Sequence, residues 1–543
     1  MAQSSLPDPL SEEDMQVLLH ATGCSSEMQR PLCKTGCLSE RYRSFTGECN
    51  NRQHPKWGAA NTPYSRWLPP EYEDIRGVPR GWDPEHTYYN YTLPPVRLIS
   101  QNVLYTHNEN ISLDSSLSHL LVEWGQWIDH DFALTPQSPS TAAFRTGADC
   151  TRTCSRDTPC FPIQILTWEH YLPRVLGETP TSLLMPPYKG YDPEIDPSIA
   201  NVFSAAAFRF AHVTVQPMVA RLGPGYSLAP QHPPLPLHHS LFASWRVVQE
   251  GGIDPVLRGL LLSPAKLQMP GQMMVEELTE RLFQAQGGMP LDLGALNLQR
   301  GRDHGLPGYS SWRGLCGLSV PNTTSDLAGI LGNPGLAEKF LLLYGTSQNI
   351  DVWVGAISEP PLPGGRVGPL LACLLAKQFR ALRDGDRFWW EREAVFTSNQ
   401  RAQLHTVSLS RIICDNTHIT RVPSDPFSRT VSPEDMLACS HPLIPHLNLS
   451  AWKEPDTGTI LLTLIPHLNL CLDGTGFSLL CDSVIYYQCG PGYQLIGPSS
   501  VTCDPNSYQW SPAPPICHGR ECVCVCVCVC VCVCVCVCVR DFN

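Results

Sequence analysis

Gly125-Gln126-Trp127-Ile128-Asp129-His130-Asp131 and, further on, Asn201-Val202-Phe203 running through Phe208-Arg209-Phe210-Ala211-His212 are the two stretches that decide the fold. Ahead of the first, Leu117, Leu120, Leu121, Trp124 and Ile128 recur at helical spacing from Asp114 onward, with Asp114 or Ser115 placed as a cap. On that helix Gln126, Asp129 and His130 stand at i, i+3 and i+4 and share one face. The second stretch predicts a helix over 198–215, Ala-rich and closed by Pro217, with Arg209 and His212 about one turn apart. Each segment offers one histidine. A cofactor that needs one protein group on its iron and a free acid/base on the other side would use two such histidines.

Composition narrows the class. The chain has 543 residues, 43% of them apolar and 16% charged, enough for a large core and against general disorder. A net charge of −12 with no basic cluster argues against nucleic acid as a partner. Of the 25 cysteines, nine alternate with valine between Cys522 and Cys538, as a translated dinucleotide repeat would. The rival reading of that tail, a membrane span over the uncharged stretch Cys522 to Val539, is opposed by its strict alternation and its lack of aromatic anchors. The remaining cysteines are dispersed, and Asn-x-Ser/Thr sequons begin at Asn90, Asn110, Asn322 and Asn448. Together these point to an oxidising, secretory compartment. Glu12, Glu13 and Asp14 stand where a leader would be apolar, so the N-terminus reads as incomplete.

Residues 1–19 read as a lead-in, and residues 20–100, rich in Pro, Trp, Cys and Tyr, as an irregular, disulfide-tied segment. Helical patterns continue through Met274–Gln284, Leu336–Tyr344 and Leu370–Leu382, and strand-like alternation is scarce, so the body to about residue 455 is mainly α. Ile444-Pro445-His446-Leu447-Asn448-Leu449 recurs as Ile465-Pro466-His467-Leu468-Asn469-Leu470, a single duplication inside or beside a linker over 456–470. Residues 471–517, with Cys489, Cys503 and Cys517, read as a small disulfide-stapled β module, followed by the low-complexity tail 518–543.

Four stretches in order resemble the animal haem peroxidases. They are Gly125–Asp131, Ala207–His212, the run Leu296-Asn297-Leu298-Gln299-Arg300-Gly301-Arg302-Asp303-His304-Gly305-Leu306-Pro307-Gly308-Tyr309, and Arg383-Asp384-Gly385-Asp386-Arg387-Phe388-Trp389-Trp390-Glu391. Cys160-Phe161-Pro162-Ile163-Gln164 and the appended module, which resembles a sushi domain, favour the iodide-oxidising branch. The resemblance implies haem b with His212 as proximal iron ligand, Asn297 accepting its ring N–H, and Arg209 and Arg300 on the haem propionates. It implies His130 as distal acid/base, Gln126 beside it holding water or halide, Asp129 esterified to the haem, and Asp131 as a calcium ligand. Hydrogen peroxide, iodide and a tyrosine-bearing acceptor would be its partners, at the cell surface or outside the cell. The family's disulfides would map to Cys316–Cys373 and Cys414–Cys439, and in the sushi-like module Cys489 would pair with Cys517. His304 reads as structural. A zinc site at Asp129-His130-Asp131 has no second cluster of ligand spacing to support it.

One part of the pattern is missing. The chain passes from Gln164 through Ile165-Leu166-Thr167 to Trp168-Glu169-His170-Tyr171-Leu172-Pro173. The family places a long segment there, which carries the rest of a calcium loop (Thr-x-Phe-x-Asp-x-Ser), the distal arginine and a glutamate that forms a second haem ester. No Thr-x-Phe-x-Asp-x-Ser pattern occurs in this sequence. Two readings follow: a haem peroxidase whose activity is impaired as written, or a catalytically inactive extracellular protein that binds partners through its sushi-like module.

Overall fold

The structure is a computed structural model that describes residues 46–60, 62–132, 164–284 and 289–452, with isolated positions and short strands outside these ranges. The described body is mainly α, as expected, and its strands are short two-stranded ladders. Strand β1 (Ser112–Ser118) leads directly into helix α1 (His119–Phe132). The helix therefore begins at His119, not near Asp114. Asp114 is buried in the strand, where its carboxylate accepts from the Ser116 and Leu117 amides at 2.8 and 3.1 Å and pairs with Arg366. A long-range ion pair has taken the side chain that the local pattern offered as a cap.

The expected helix over 198–215 is also interrupted. Helix α2 (Asn201–Ala205) ends at Ala206, with φ −141° and ψ −64°, and a 3₁₀ stretch, Ala207–Thr214, carries on. The break lets Phe208 fold back on Phe203, ring centroids 4.8 Å apart and nearly parallel. Beyond it come α3 (Asp254–Leu262) and strand β2 (Pro264–Leu267), which pairs antiparallel with β1. Of the helical pattern over 274–284 only one α-helical turn, Glu276–Thr279, is formed, after a two-residue strand, Met274–Val275. Helix α4 (Leu293–Asp303) starts where Asp292 accepts from the Ala295 amide at 3.0 Å. Then follow α5 (Tyr309–Leu315), α6 (Thr324–Leu331) with a Thr323/Asp326 capping box, α7 (Pro334–Tyr344), α8 (Val352–Ile357) and α9 (Pro369–Asp384).

One large core joins α1, α2, the 3₁₀ stretch, α4 and α9 through Trp124, Ile128, Phe203, Phe208, Leu298 and Phe379. Cys316–Cys373 ties the end of α5 to α9, and Cys414–Cys439 closes a second loop, as the resemblance implied. Cys33–Cys49 adds a bond that the sequence reading did not assign. Cys489 lies outside the described residues, so its pairing with Cys517 does too; within that module Val484–Tyr486 pairs with Ser500–Cys503 and Gln494–Ile496 with Ile516–His518.

At the start of α1 the His119 amide donates to Ser263 at 2.8 Å, and its ring is 3% exposed. Burial pushes this imidazole down to about 4, while burial raises the neighbouring Glu123 carboxyl. Unfolding lets His119 take a proton below its ordinary 6.5, whereas the folded chain resists until about 4. The stability it contributes is thus complete above 6.5 and lost as pH falls toward 4; Glu123 acts in the opposite sense. Denaturant midpoints measured above pH 6.5 and near pH 4 should fall less in His119→Phe than in the parent. Equal falls would show that the ring is not the titrating group.

Candidate active site

Helix α1, the 3₁₀ stretch and α4 bring Asp129, His130, Arg209, His212, Asn297 and Arg300 near one another. On α1, Gln126 is exposed, whereas Asp129 and His130 are partly buried, and Asp129 lies within reach of the Arg209 and Arg300 charges. Burial raises the Asp129 carboxyl, and those two arginines together with His130 oppose the shift. Its Oδ1 is buried with no hydrogen-bond partner among the described residues. A buried carboxylate oxygen without a donor is costly and rare, so this atom marks a place built for something further.

His212 sits on the 3₁₀ stretch, close enough to His130 for the charge of that ring to act on it. Burial first, then the charges of Arg209 and His130, push it down to about 3, so it is neutral over the physiological range. Its Nδ1 lies 2.8 Å from Nδ2 of Asn297, a residue 1% exposed on α4. Arg209 is anchored by donating Nε–H to the Ser204 carbonyl at 3.0 Å, and its Nη1 lies 3.5 Å from Asn297 Oδ1. Arg300, one turn after Asn297, is exposed and lowers the Arg209 pKa by like-charge repulsion, after burial. Asp131 is exposed at the end of α1, and among the described residues no three His, Cys, Asp or Glu side chains group closely enough for a metal ion. His304 is held by Asn201, Nδ1 to Oδ1 at 2.8 Å, tying α4 to α2.

Two residues escaped the sequence reading. Tyr171 packs against α1 at Gly125: a Cβ there would lie 2.5 Å from the phenol oxygen. Burial and the Asp129 charge both raise this phenol. Lys266 on β2 is 1% exposed and donates to three backbone carbonyls, Val213 at 2.8 Å, Leu267 at 3.2 Å and Gln272 at 2.6 Å. It clamps the residue after His212, and burial pushes it down to about 7. No local signal announces such a lysine, because its acceptors are main-chain atoms.

In the stretch 164–171, Gln164 and Ile165 are α-helical and a π-helical segment, Leu166–Tyr171, follows. Ile165, Leu166 and Thr167 are buried, yet Gln164 Oε1, Thr167 Oγ1 and Trp168 Nε1 have no hydrogen-bond partner among the described residues. Three orphaned polar atoms within five residues are what a join between segments shaped for other neighbours would leave.

Comparison with known proteins agrees with this geometry. The animal haem peroxidase family model matches residues 42–167 and 163–427, two pieces that meet at this join, and the Sushi repeat model matches 468–517. Thyroid peroxidase of Sus scrofa is 36% identical over 689 positions, covering 94% of this chain and 73% of that protein. Eosinophil peroxidase of Homo sapiens is 36% identical, covering 83% of this chain and 84% of that one. Since 94% of 543 residues is about 510, roughly 180 of the 689 aligned positions face no residue here. Peroxidase A of Dictyostelium discoideum shares the fold, with a TM-score of 0.55 at 20% identity over 73% of this chain and 99% of its own. With its paired histidines on facing segments and matches that span its body, the chain belongs to the animal haem peroxidase family.

Proposed function

We propose that the site between His130 and His212 holds haem, and that this polypeptide is an impaired hydrogen-peroxide-dependent oxidase of iodide and tyrosine. The observation that carries the reading is buried, neutral His212 with Asn297 on its ring, within electrostatic reach of His130. The residues fit the group. Asp129 offers an orphaned, buried carboxylate oxygen, Arg209 and Arg300 offer charges for two propionates, and His212 offers an unprotonated nitrogen. As placed, the Asn297 amide nitrogen faces Nδ1, which puts the ring hydrogen on Nε2. Turning the amide by half a rotation lets Nδ1–H donate to Oδ1 and frees Nε2 for iron, at the cost of the long contact with Arg209.

Haem, when bound, supplies the iron at which peroxide is reduced. His130 takes the proton from the nearer peroxide oxygen and returns it to the leaving one. Gln126, four residues before it, holds water or halide on the same face. Asp129 is the candidate for an ester to the haem. Asp131 would need companion oxygens to hold calcium, which prefers about six to eight. The four sequon asparagines are exposed and three disulfides are formed, which supports an extracellular or cell-surface protein. No described helix is long and apolar enough to cross a membrane.

His212→Ala tests the reading. Reconstituted with haem, the parent should show a Soret band of a histidine-ligated iron, and the variant should lose it. An unchanged spectrum would sink the assignment. A second reading, a binding protein acting through its sushi repeat, is favoured by one observation, the orphaned atoms at the join. A parent chain that takes up no haem but binds a partner through residues 468–517 would establish it.

A further inference from the structure

The sequons take no part in the haem site, and one of them is set apart by its surroundings. Asn322-Thr323-Thr324 leads into α6, with Thr323 as the cap and Thr324 as the first helical residue. The Asn322 and Thr323 amides donate to Asp326 Oδ2 at 3.1 and 2.9 Å, which fixes the backbone of the sequon. The Asn322 side chain is exposed and makes no hydrogen bond among the described residues. It lines a cleft of about 620 Å³, together with Val320, Ile330 and Pro369 as apolar wall and Asp326 as polar edge. That size falls within the ~300–1,000 Å³ of clefts that hold small organic ligands. Asp326 Oδ1 accepts from no donor among the described residues. Gly329, inside α6, lines the same cleft, and a Cβ there would meet nothing within 4 Å. Glycine within a helix costs stability relative to alanine, and packing inside this chain does not ask for it here. The missing side chain leaves room for an occupant. The other sequons lack such a place: Asn90 stands on the turn between Thr87–Tyr88 and Tyr91–Thr92, and Asn448 Oδ1 accepts from the Ser450 amide at 3.0 Å.

We propose that Asn322 carries an N-linked glycan and that its first N-acetylglucosamine is seated in this cleft, pinning α6 to the start of α9. The glycan rests on the extracellular reading for its attachment and does not depend on haem. Asn322 Nδ2 attacks C1 of an oligosaccharide linked to a lipid diphosphate and loses a proton. The C1–O bond breaks, and the lipid diphosphate leaves. Folding then closes α6 and Pro369 around the attached sugar. Its C–H face meets Val320, Ile330 and Pro369, its edge passes over Gly329, and a hydroxyl donates to Asp326 Oδ1.

The test has two arms. The full chain is secreted behind a cleavable leader from animal cells that make only high-mannose glycans, and peptide mass spectrometry reads each sequon. Asn322 should be occupied. Asn322 empty beside any occupied sequon would overturn the glycan alone; all four empty would count against the extracellular reading as well. The seat is then read in a chain carrying Asn90→Gln, Asn110→Gln and Asn448→Gln. Endoglycosidase H, which leaves the first sugar in place, should leave the melting temperature unchanged. Peptide N-glycosidase F, which removes that sugar, should lower it. Thr324→Ala, which leaves Asn322 bare without touching the cleft or the cap, should melt with the second product. Native release by the second enzyme should be severalfold slower from this chain than from its Gly329→Leu variant, whose added side chain fills the cleft. Equal melting temperatures after the two enzymes, or equal release rates, would overturn the seat. Both enzymes act on chains already folded, so a folding defect cannot imitate the expected result.

Discussion

Inserting the family's segment at the 164–168 join should raise peroxide-driven iodide oxidation by about two to three orders of magnitude, the usual worth of one preorganised donor at a developing anion. His130 can shuttle the proton of a bound peroxide, but negative charge still builds on the departing oxygen. In this chain the cations near the site, Arg209 and Arg300, come from the 3₁₀ stretch and from α4, and the Asp129 carboxyl feels both. Neither lies on α1, the helix that carries His130. An arginine delivered by the restored segment would meet that charge without moving. The two versions should be compared at equal haem occupancy, verified by pyridine haemochrome. Comparable turnover would show that the distal cation is dispensable, and that His130 and the site's remaining field are sufficient.

The largest loss of stability should come from Glu359→Ala, about 3–5 kcal/mol, the cost of stranding the partner of a buried charge. Glu359 lies between α8 and α9 and is 2% exposed. It pairs with buried Arg313, accepts from Tyr309 Oη at 2.6 Å, and accepts from the Leu370 amide at 2.8 Å in the first turn of α9. Removing it leaves a guanidinium, a phenol and an amide without their acceptor, across the same pair of helices that Cys316–Cys373 joins. Chemical denaturation measures the effect, and Glu359→Gln should recover part of it by restoring an acceptor without charge. A loss under about 1 kcal/mol would mean that water replaces the carboxylate at no great cost.

What the sequence disclosed and what it concealed divide along physical lines. His130, His212, Asp129, Asn297, Arg209 and Arg300 could be nominated because each sits at a fixed offset within a short motif, and local spacing survives any tertiary arrangement. The helical course of α7 and α9 was legible for the same reason. The start of α1 was not, because Asp114 answers to Arg366, far along the chain, rather than to the amides beyond it. The break at Ala206 was hidden in an Ala-rich run whose propensity favours helix, and Phe203 stacking on Phe208 outweighs that preference. Lys266 left no trace in spacing at all, since its partners are brought together only by packing. The join at 164–168 was visible as a missing motif, but its orphaned oxygens and nitrogen belong to three dimensions.

Gly125 and Tyr171 stand on opposite sides of that join, and the 2.5 Å between a would-be Cβ and the phenol oxygen binds their histories together. The restriction falls on position 125, which cannot grow while the phenol stays where it is. A larger residue at 125 must wait for a smaller one at 171, so drift at the first is licensed only by prior drift at the second. The contact thus acts as a one-way latch: while the tyrosine stays, position 125 has room for hydrogen alone, whereas the glycine sets no such limit on position 171.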